Sequence, residues 1–290
     1  MAIDKIILGT VQLGIEYGIN NKQGRPSDFE GVGILRDAYL KGVRYIDTAE
    51  GYGKSHEVIG LYHRQHPNEK FQVITKFSLA NLAKYSSFDW AFKNTLEILQ
   101  VDSLAGYMFH DFADYVHNPE IRESMIVLRG LGKIQQLGVS VYTNDEAELV
   151  LDDPNINFIQ IPFNLLDNFT KRGHVIEKAR KAGKEVHTRS IFLQGLFYMK
   201  DVPIKLSALQ PYLDQLRHIA AEEKVTLQDM ALSFAVFHPC IAKILIGVES
   251  SVQLVSNLNS IKKGELAERL IDRINAIRVQ EEELLNPVNW

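Results

Sequence analysis

The chain has 290 residues, and its 32 lysines and arginines against 36 aspartates and glutamates give a formal net charge of −4. With no basic excess and no Lys/Arg-rich run, the electrostatic attraction on which nucleic-acid binding depends is missing. Hydrophobic residues make up 46% and charged residues 23%, as in globular rather than disordered chains. Cys240 is the single cysteine, which excludes an internal disulfide and a cysteine-based zinc site.

The apolar residues show no pattern typical of export or of membrane insertion. Residues 1–5 lack the apolar core of a signal peptide. The most apolar stretch, residues 231–248, is interrupted by His238, Pro239 and Lys243, which argues against a membrane span. We therefore expect a soluble, cytoplasmic protein with neither a nucleic-acid nor a membrane partner.

Short β-branched apolar runs alternate with longer helical periods along the chain. The predicted strands cover residues 5–8, 44–47, 71–76, 103–109, 137–140, 158–162, 186–189 and 243–246. The predicted helices cover residues 32–40, 55–62, 88–99, 119–136, 145–151, 171–182, 213–222, 227–237, 251–258 and 265–278. Eight strand–helix units without a linker predict an α/β fold, a (β/α)8 TIM barrel that forms a single domain over residues 1–290.

A doubly wound parallel sheet is the main alternative fold. It would need a glycine-rich phosphate loop in its first strand–helix turn, and residues 9–14, with the sequence GTVQLG, lack that pattern. Gly31 and Gly33 lie within a helical period instead. We therefore favour the barrel, whose active sites lie at the carboxyl ends of the strands. Polar residues lie at or beside the carboxyl ends of six predicted strands: Asp47, Lys76, His110, Ser140, Gln160 and Arg189.

Several spaced motifs accompany these strand ends. Their sequences, in chain order, are DTAEGYG at 47–53, ITK at 74–76, YMFH at 107–110, GKI at 132–134, LGVS at 137–140, QIPFN at 160–164 and IG at 246–247, continuing to Asn257. In this order they resemble the aldo-keto reductases, and the resemblance covers nearly the whole chain, from Gly9 to Asn257. It implies NAD(P)H-dependent reduction of a small-molecule carbonyl, an aldehyde or a ketone, without a metal ion.

The resemblance implies a catalytic tetrad of Asp47, Tyr52, Lys76 and His110. Hydride transfer to a carbonyl leaves an alkoxide, so an acid must stand beside that oxygen. Tyr52 would be this acid, and the charge of Lys76 would lower the pKa of its phenol. Asp47 would hold Lys76 in place, and His110 would orient the carbonyl oxygen.

The resemblance also places a cofactor along the later strand ends. Ser140 and Gln160 match positions that bind the nicotinamide carboxamide, although Val141 stands where the family usually has Asn. Arg189 replaces an aromatic residue that often stacks on the nicotinamide, so a phosphate or an anionic substrate is an alternative partner for it. The expected cofactor-binding residues are Ser140, Gln160, Arg189, Ser190, Leu193, Gly195, Gly247, Ser250, Gln253 and Asn257.

The residues after the eighth strand bear on the choice of dinucleotide. Gln253 stands where many family members have an Arg that contacts the 2′-phosphate of NADPH, and Asn257 matches a residue near the adenine. Ser250 could still bind a phosphate at a helix N-terminus. Glu249 would repel a 2′-phosphate if it pointed inward, yet could pair with ribose hydroxyls. The resemblance favours NADPH as the cofactor, with NADH as the alternative.

A long polar segment, residues 15–26, follows the first strand and should overhang the barrel mouth. Tyr17, Asn20 and Arg25 in this segment, together with Asp111 after His110, are candidate substrate contacts. Polar groups here suit a hydroxylated or anionic carbonyl compound, such as a sugar-like aldehyde.

Two other functions stay open. The chain could be a cofactor-binding regulatory or sensor subunit with little or no catalysis, although such a subunit has no need of a complete tetrad. It could also be a barrel aldolase that uses Lys76 as a Schiff-base nucleophile, although Asp47 and Tyr52 at the family spacing argue against this. We expect a monomer or a small homo-oligomer.

Overall fold

The computed structural model describes residues 2–261, 266 and 268–290. Eight parallel strands pair in chain order and close into a barrel, which confirms the predicted (β/α)8 fold. The strands are β1 Ile6–Gly9, β2 Tyr45–Asp47, β3 Gln72–Phe77, β4 Leu104–Phe109, β5 Ile134–Ser140, β6 Phe158–Pro162, β7 Glu185–Arg189 and β8 Lys243–Gly247. Closure is made by β8, which pairs with β1 from Ile6 opposite Ile244 to Gly9 opposite Gly247.

Helices follow every strand. The α-helices are α1 Val11–Gly14, α2 Asp28–Leu40, α3 Ser55–Gln65, α4 Leu79–Leu82, α5 Phe88–Leu99, α6 Phe112–His117, α7 Pro119–Gly130, α8 Asn144–Leu151, α9 Phe169–Lys181, α10 Gln210–Glu223, α11 Leu227–Val236, α12 Ser251–Ile261 and α13 Glu268–Asn275. Short 3-10 helices lie at Ala2–Lys5, Leu193–Tyr198, Ile204–Leu209, Glu282–Leu285 and Pro287–Asn289. Within the described ranges, we find no helix with the length and apolar character needed to cross a bilayer.

The helix predicted over residues 119–136 was too long. It ends at Gly130, and Gly132 follows with a φ of 72°, a left-handed conformation that favours glycine and turns the chain out of the helix. The next residues pair with β4, where Ile134 lies opposite Leu104. The last predicted helix, residues 265–278, is observed as α13, and Glu265 lies outside the described residues.

An apolar plug fills the barrel interior below its carboxyl end. Its buried side chains are Ile7, Ile74, Ala105, Met108 and Phe158. Side chains along a strand alternate between the two faces of the sheet. The interior face that carries Ile74 and Phe158 therefore carries Lys76 and Gln160 two residues later, above the plug. The helices pack around the outside through a larger apolar core.

Helices α3 and α5 meet at a close approach of their backbones. A Cβ atom built on Gly60 would lie 1.8 Å from the carbonyl oxygen of Ile98, which is backbone and cannot move aside. Glycine at this position is therefore a requirement of packing. Gly33, in α2, is exposed, and a Cβ atom built there would have no atom within 4 Å.

We expect Gly60→Ala to lower the free energy of unfolding by about 1–3 kcal/mol, because the added methyl group forces α3 away from α5. Gly33→Ala is the matched control and should raise the free energy of unfolding by about 0.5–1 kcal/mol, since alanine is the better helix former. Urea denaturation of the two variants measures both effects. Equal free energies of unfolding in the two variants would contradict the close packing of α3 on α5.

Candidate active site

The carboxyl ends of the strands surround a cavity of about 640 Å³. All four residues of the predicted tetrad line it, although they come from different strands and from the loop after β2. They are Asp47, Tyr52, Lys76 and His110. The structure therefore brings together at one place the polar groups that the strand-end positions singled out.

A buried ion pair lies at the floor of this cavity. Lys76 Nζ donates a hydrogen bond to Asp47 Oδ1 and another, of 3.1 Å, to the carbonyl oxygen of Thr48. Gln160 Nε2 donates to the other carboxylate oxygen, Asp47 Oδ2, at 2.9 Å. The Lys76 and Asp47 side chains are only 2% and 3% exposed. Because an unpaired buried charge costs several kcal/mol, each of the two holds the other in place.

The loop that carries Tyr52 is fixed against the first strand–helix turn. Thr10 Oγ1 donates to the carbonyl oxygen of Asp47 at 2.9 Å, and Ser55 Oγ donates to Thr10 Oγ1 at 2.7 Å. Gly14 allows the two segments to touch, since a Cβ atom built there would lie 1.6 Å from the carbonyl oxygen of Tyr52. These contacts orient the Tyr52 backbone so that its side chain reaches the cavity.

The Tyr52 phenol is half-buried beside Lys76 and His110. Lys76 Nζ lies 5.2 Å from the centroid of the Tyr52 ring, and the Tyr52 and His110 rings meet edge to face at 5.7 Å. Burial raises the pKa of Tyr52, the Asp47 charge raises it further, and Arg189 opposes them. The sequence predicts a downward shift of the Tyr52 pKa caused by Lys76, and the net shift is upward because burial and Asp47 outweigh Arg189. Tyr52 is therefore protonated at neutral pH, as a proton donor must be.

His110 is neutral at physiological pH. Burial, and then the charge of Lys76, lower the pKa of His110 to about 4. A neutral imidazole has one N–H donor and one nitrogen acceptor, so His110 can donate a hydrogen bond to a carbonyl oxygen without competing with Tyr52 as the acid. Burial also lowers the pKa of Lys76, and the Asp47 charge opposes that shift.

Arg189 brings a second cation to the cavity, at the end of β7. Its Nη2 donates to the carbonyl oxygen of Val141 at 3.2 Å, and its guanidinium lies 4.1 Å from the centroid of the Tyr142 ring. Among the described residues, no carboxylate forms a salt bridge with Arg189. The guanidinium has five N–H groups, so donors are left for a ligand that enters the cavity.

Most of the predicted cofactor-binding residues line this cavity: Ser140, Gln160, Arg189, Ser190, Gly195, Gly247, Gln253 and Asn257. Two do not. Leu193, in the connection after β7, is fully buried. Ser250 lines a second cavity of about 360 Å³ and accepts a hydrogen bond from the backbone N–H of Gln253 at 3.3 Å.

The four candidate substrate contacts divide in the same way. Tyr17 and Asn20 line the large cavity. Arg25 instead donates from Nη1 to the Leu13 carbonyl at 2.9 Å and to Asp28 at 2.8 Å. Asp111 caps α6 by accepting a hydrogen bond from the Asp114 backbone N–H at 2.7 Å. The structure therefore places Arg25 and Asp111 in local structural roles outside the cavity.

Other residues that line the cavity were not predicted from the sequence. They include Thr10, Gln12, Tyr142, Gln194, Gln228, Ser256, Pro287 and Val288. Thr10 and Gln12 directly follow β1, so the same strand-end rule could have found them. Pro287 and Val288 lie in the C-terminal 3-10 helix, and no local pattern connects that segment to the barrel mouth.

The cavity suits an extended dinucleotide. It runs from the tetrad to α12, and barrel phosphate sites form at the loops after the seventh and eighth strands beside a helix N-terminus. Gln12 Oε1 is a buried acceptor with no hydrogen-bond partner among the described residues, and it lies beside Gly247. Within the described ranges, no group of three His, Cys, Asp or Glu side chains is placed to hold a metal ion.

The sequence model of the Aldo/keto reductase family matches residues 5–279. The chain belongs to this family. The Aldo-keto reductase YhdN of Bacillus subtilis (strain 168) is 26% identical over 181 residues, which cover 56% of this chain and 51% of that protein. The Probable aldo-keto reductase 1 of Glycine max is 35% identical over 54 residues, which cover 18% of this chain and 16% of that protein. This chain thus spans about half the Bacillus protein and less of the soybean one.

Solved structures resemble the whole barrel. The aldo-keto reductase AKR11C1 from Bacillus halodurans, in its holo form, has a TM-score of 0.77 at 18% identity, covering 94% of this chain and 92% of that one. The apo form of Gox0644 has a TM-score of 0.71 at 16% identity, covering 96% and 90%. At these identities the likeness shows the fold, in agreement with the family match.

Proposed function

We propose that this member of the aldo/keto reductase family reduces a small aldehyde or ketone with NAD(P)H, by direct hydride transfer with Tyr52 as the general acid. The observation that carries the proposal is a half-buried, protonated phenol between a lysine that is paired with Asp47 and a neutral His110. A proton donor, a cation and a neutral hydrogen-bond donor around one point are what carbonyl reduction requires.

Each side chain has a separate part in the reaction. A reduced nicotinamide, when bound, supplies the hydride. Tyr52 Oη gives its proton to the oxygen that becomes an alkoxide, and the Lys76 ammonium stabilises the phenolate left behind. Asp47 and Gln160 hold the ammonium in place, and the N–H of His110 orients the carbonyl oxygen.

Ser140 and Gln160 would hold the nicotinamide carboxamide, and the Ser190–Gly195 loop and Gly247 would lie along the phosphates. Gln160 then has two tasks, because its amide nitrogen already binds Asp47. NADPH is the dinucleotide that the family resemblance predicts, and NADH is the alternative. A cytoplasmic location and a monomeric or small oligomeric state stay predictions.

The contacts of Lys76 favour reduction over the aldolase alternative. Its Nζ is paired with the Asp47 carboxylate and donates to the Thr48 carbonyl. Pairing with a carboxylate favours the charged ammonium, which has no lone pair with which to attack a carbonyl. The complete and mutually oriented tetrad favours catalysis over a purely regulatory subunit, for which Tyr52 and His110 would have no use.

We expect Tyr52→Phe to lower kcat for carbonyl reduction by about 10²–10⁴-fold, because the variant keeps the ring and loses the proton. Loss of absorbance of the reduced cofactor measures the rate, and fluorescence titration should show cofactor binding unchanged within about twofold. Tyr45→Phe is the matched control and should keep wild-type rates, because Tyr45 begins β2 and packs against the apolar plug. Full turnover by the Tyr52→Phe variant would refute the assignment.

Arg189 indicates the chemical class of the substrate. Tyr17, Asn20 and Tyr142 add polar groups around it, and its charge has no carboxylate partner among the described residues. We infer that the preferred carbonyl compounds carry hydroxyl groups or an anionic group that Arg189 binds.

Two four-carbon aldehydes, butanal and succinic semialdehyde, differ by a terminal carboxylate and test this inference. Arg189→Gln should lower kcat/KM for succinic semialdehyde by about 10–100-fold and leave butanal nearly unchanged, because a charge-assisted hydrogen bond is lost. The surface variant Arg180→Gln is the control. Equal losses for both aldehydes, with weaker cofactor binding, would assign Arg189 to the cofactor instead.

A further inference from the structure

The connection between β8 and α12, together with α12 itself, forms one end of the cavity wall. Here Gln253 Nε2 donates to Glu249 Oε2 at 3.2 Å, and the backbone N–H of Glu249 donates to Gln253 Oε1 at 2.8 Å. The backbone N–H can only donate, so it fixes which side of the Gln253 amide faces the carboxylate. The two reciprocal bonds hold the Glu249 carboxylate at the first turn of α12, on the cavity wall.

The charge at this end of the cavity is negative. The other side chains that line the cavity along α11 and α12 are neutral, and they are Gln228, Gln253, Ser256 and Asn257. The lysine and arginine among the described lining residues, Lys76 and Arg189, lie at the ends of β3 and β7. Glu249 also lines the second cavity, whose arginine, Arg25, is already paired with Asp28.

The two ends of a bound dinucleotide differ in chemistry. Hydride transfer requires the nicotinamide at the tetrad, and the phosphates of ligands in such barrels lie at the loops after the seventh and eighth strands. The adenosine ribose is then left for the wall formed by Glu249 and α12. A carboxylate accepts hydrogen bonds from a ribose diol, whereas a 2′-phosphate carries close to two negative charges and needs a cation.

We propose that Glu249, held by Gln253, makes this chain select NADH over NADPH. The inference rests on the proposed function and replaces the NADPH expected from the family resemblance. Glu249 accepts hydrogen bonds from the ribose hydroxyls of NADH. The same carboxylate repels a 2′-phosphate, and none of the described lining residues at this end offers an unpaired cation to offset the repulsion.

Fluorescence titration of the intact chain with NADH and with NADPH tests the proposal. The wild-type chain should bind NADH at least about tenfold more tightly than NADPH. Glu249→Gln should tighten the binding of NADPH by about tenfold and weaken the binding of NADH, so that the preference for NADH nearly disappears. Glu30→Gln removes an equal charge from the second cavity, keeps a residue that can complete the α2 cap, and should leave the ratio of the two dissociation constants unchanged.

Ionic strength provides a second readout. Added salt screens the repulsion, so the wild-type preference should narrow as salt rises, whereas the ratio in Glu249→Gln should stay constant. The inference would be overturned if the wild-type chain bound NADPH as tightly as NADH, or if Glu249→Gln changed both dissociation constants by the same factor. Either result would leave the reductase proposal standing. Binding of neither dinucleotide would overturn both.

Discussion

The buried pair of Lys76 and Asp47 is the interaction on which the rest of the site depends. Neither charge could stay in this interior alone, because removing an ion from water costs several kcal/mol and only a close partner repays it. The second oxygen of Asp47 is satisfied by Gln160, which comes from β6. Asp47 lies on β2, so this hydrogen bond crosses the barrel interior and requires the barrel to be closed. The site is therefore complete only in the closed barrel.

The apolar plug makes this arrangement possible. Phe158 and Ile74 fill the interior one layer below Gln160 and Lys76, so water is excluded from beneath the pair. Low solvent access then shifts the pKa values of the groups around it. It raises the pKa of the Tyr52 phenol and lowers the pKa of the His110 ring, because burial disfavours the charged form of each. The two opposite shifts thus have the same main physical cause.

Much of this could be predicted from the sequence, because a parallel barrel sends the carboxyl ends of all its strands to one mouth. That rule placed Asp47, Lys76 and Gln160 together. Two candidate substrate contacts instead form hydrogen bonds with nearby residues. Asp111 caps the first turn of α6, and Arg25 is bound by Asp28.

The strand predicted over residues 137–140 is shorter than β5, which begins at Ile134. Its first residues include Gln135, which is exposed, and Gln136, which is half-buried, so the start of the strand lacks an apolar pattern. The upward pKa shift of Tyr52 is also beyond sequence reasoning, since it depends on how deeply the loop after β2 carries the ring into the cavity. Burial depth is a property of the packed chain.

An isotope label distinguishes direct hydride transfer at the Tyr52 site from transfer through the solvent. A carbonyl substrate would be reduced in ordinary water with a dinucleotide deuterated at the transferring position of the nicotinamide, and NMR would locate the label. We predict one deuterium on the former carbonyl carbon, and none on that carbon when unlabelled cofactor is used in heavy water. Carbon-bound deuterium that comes from the solvent, or a product without the cofactor's label, would contradict it.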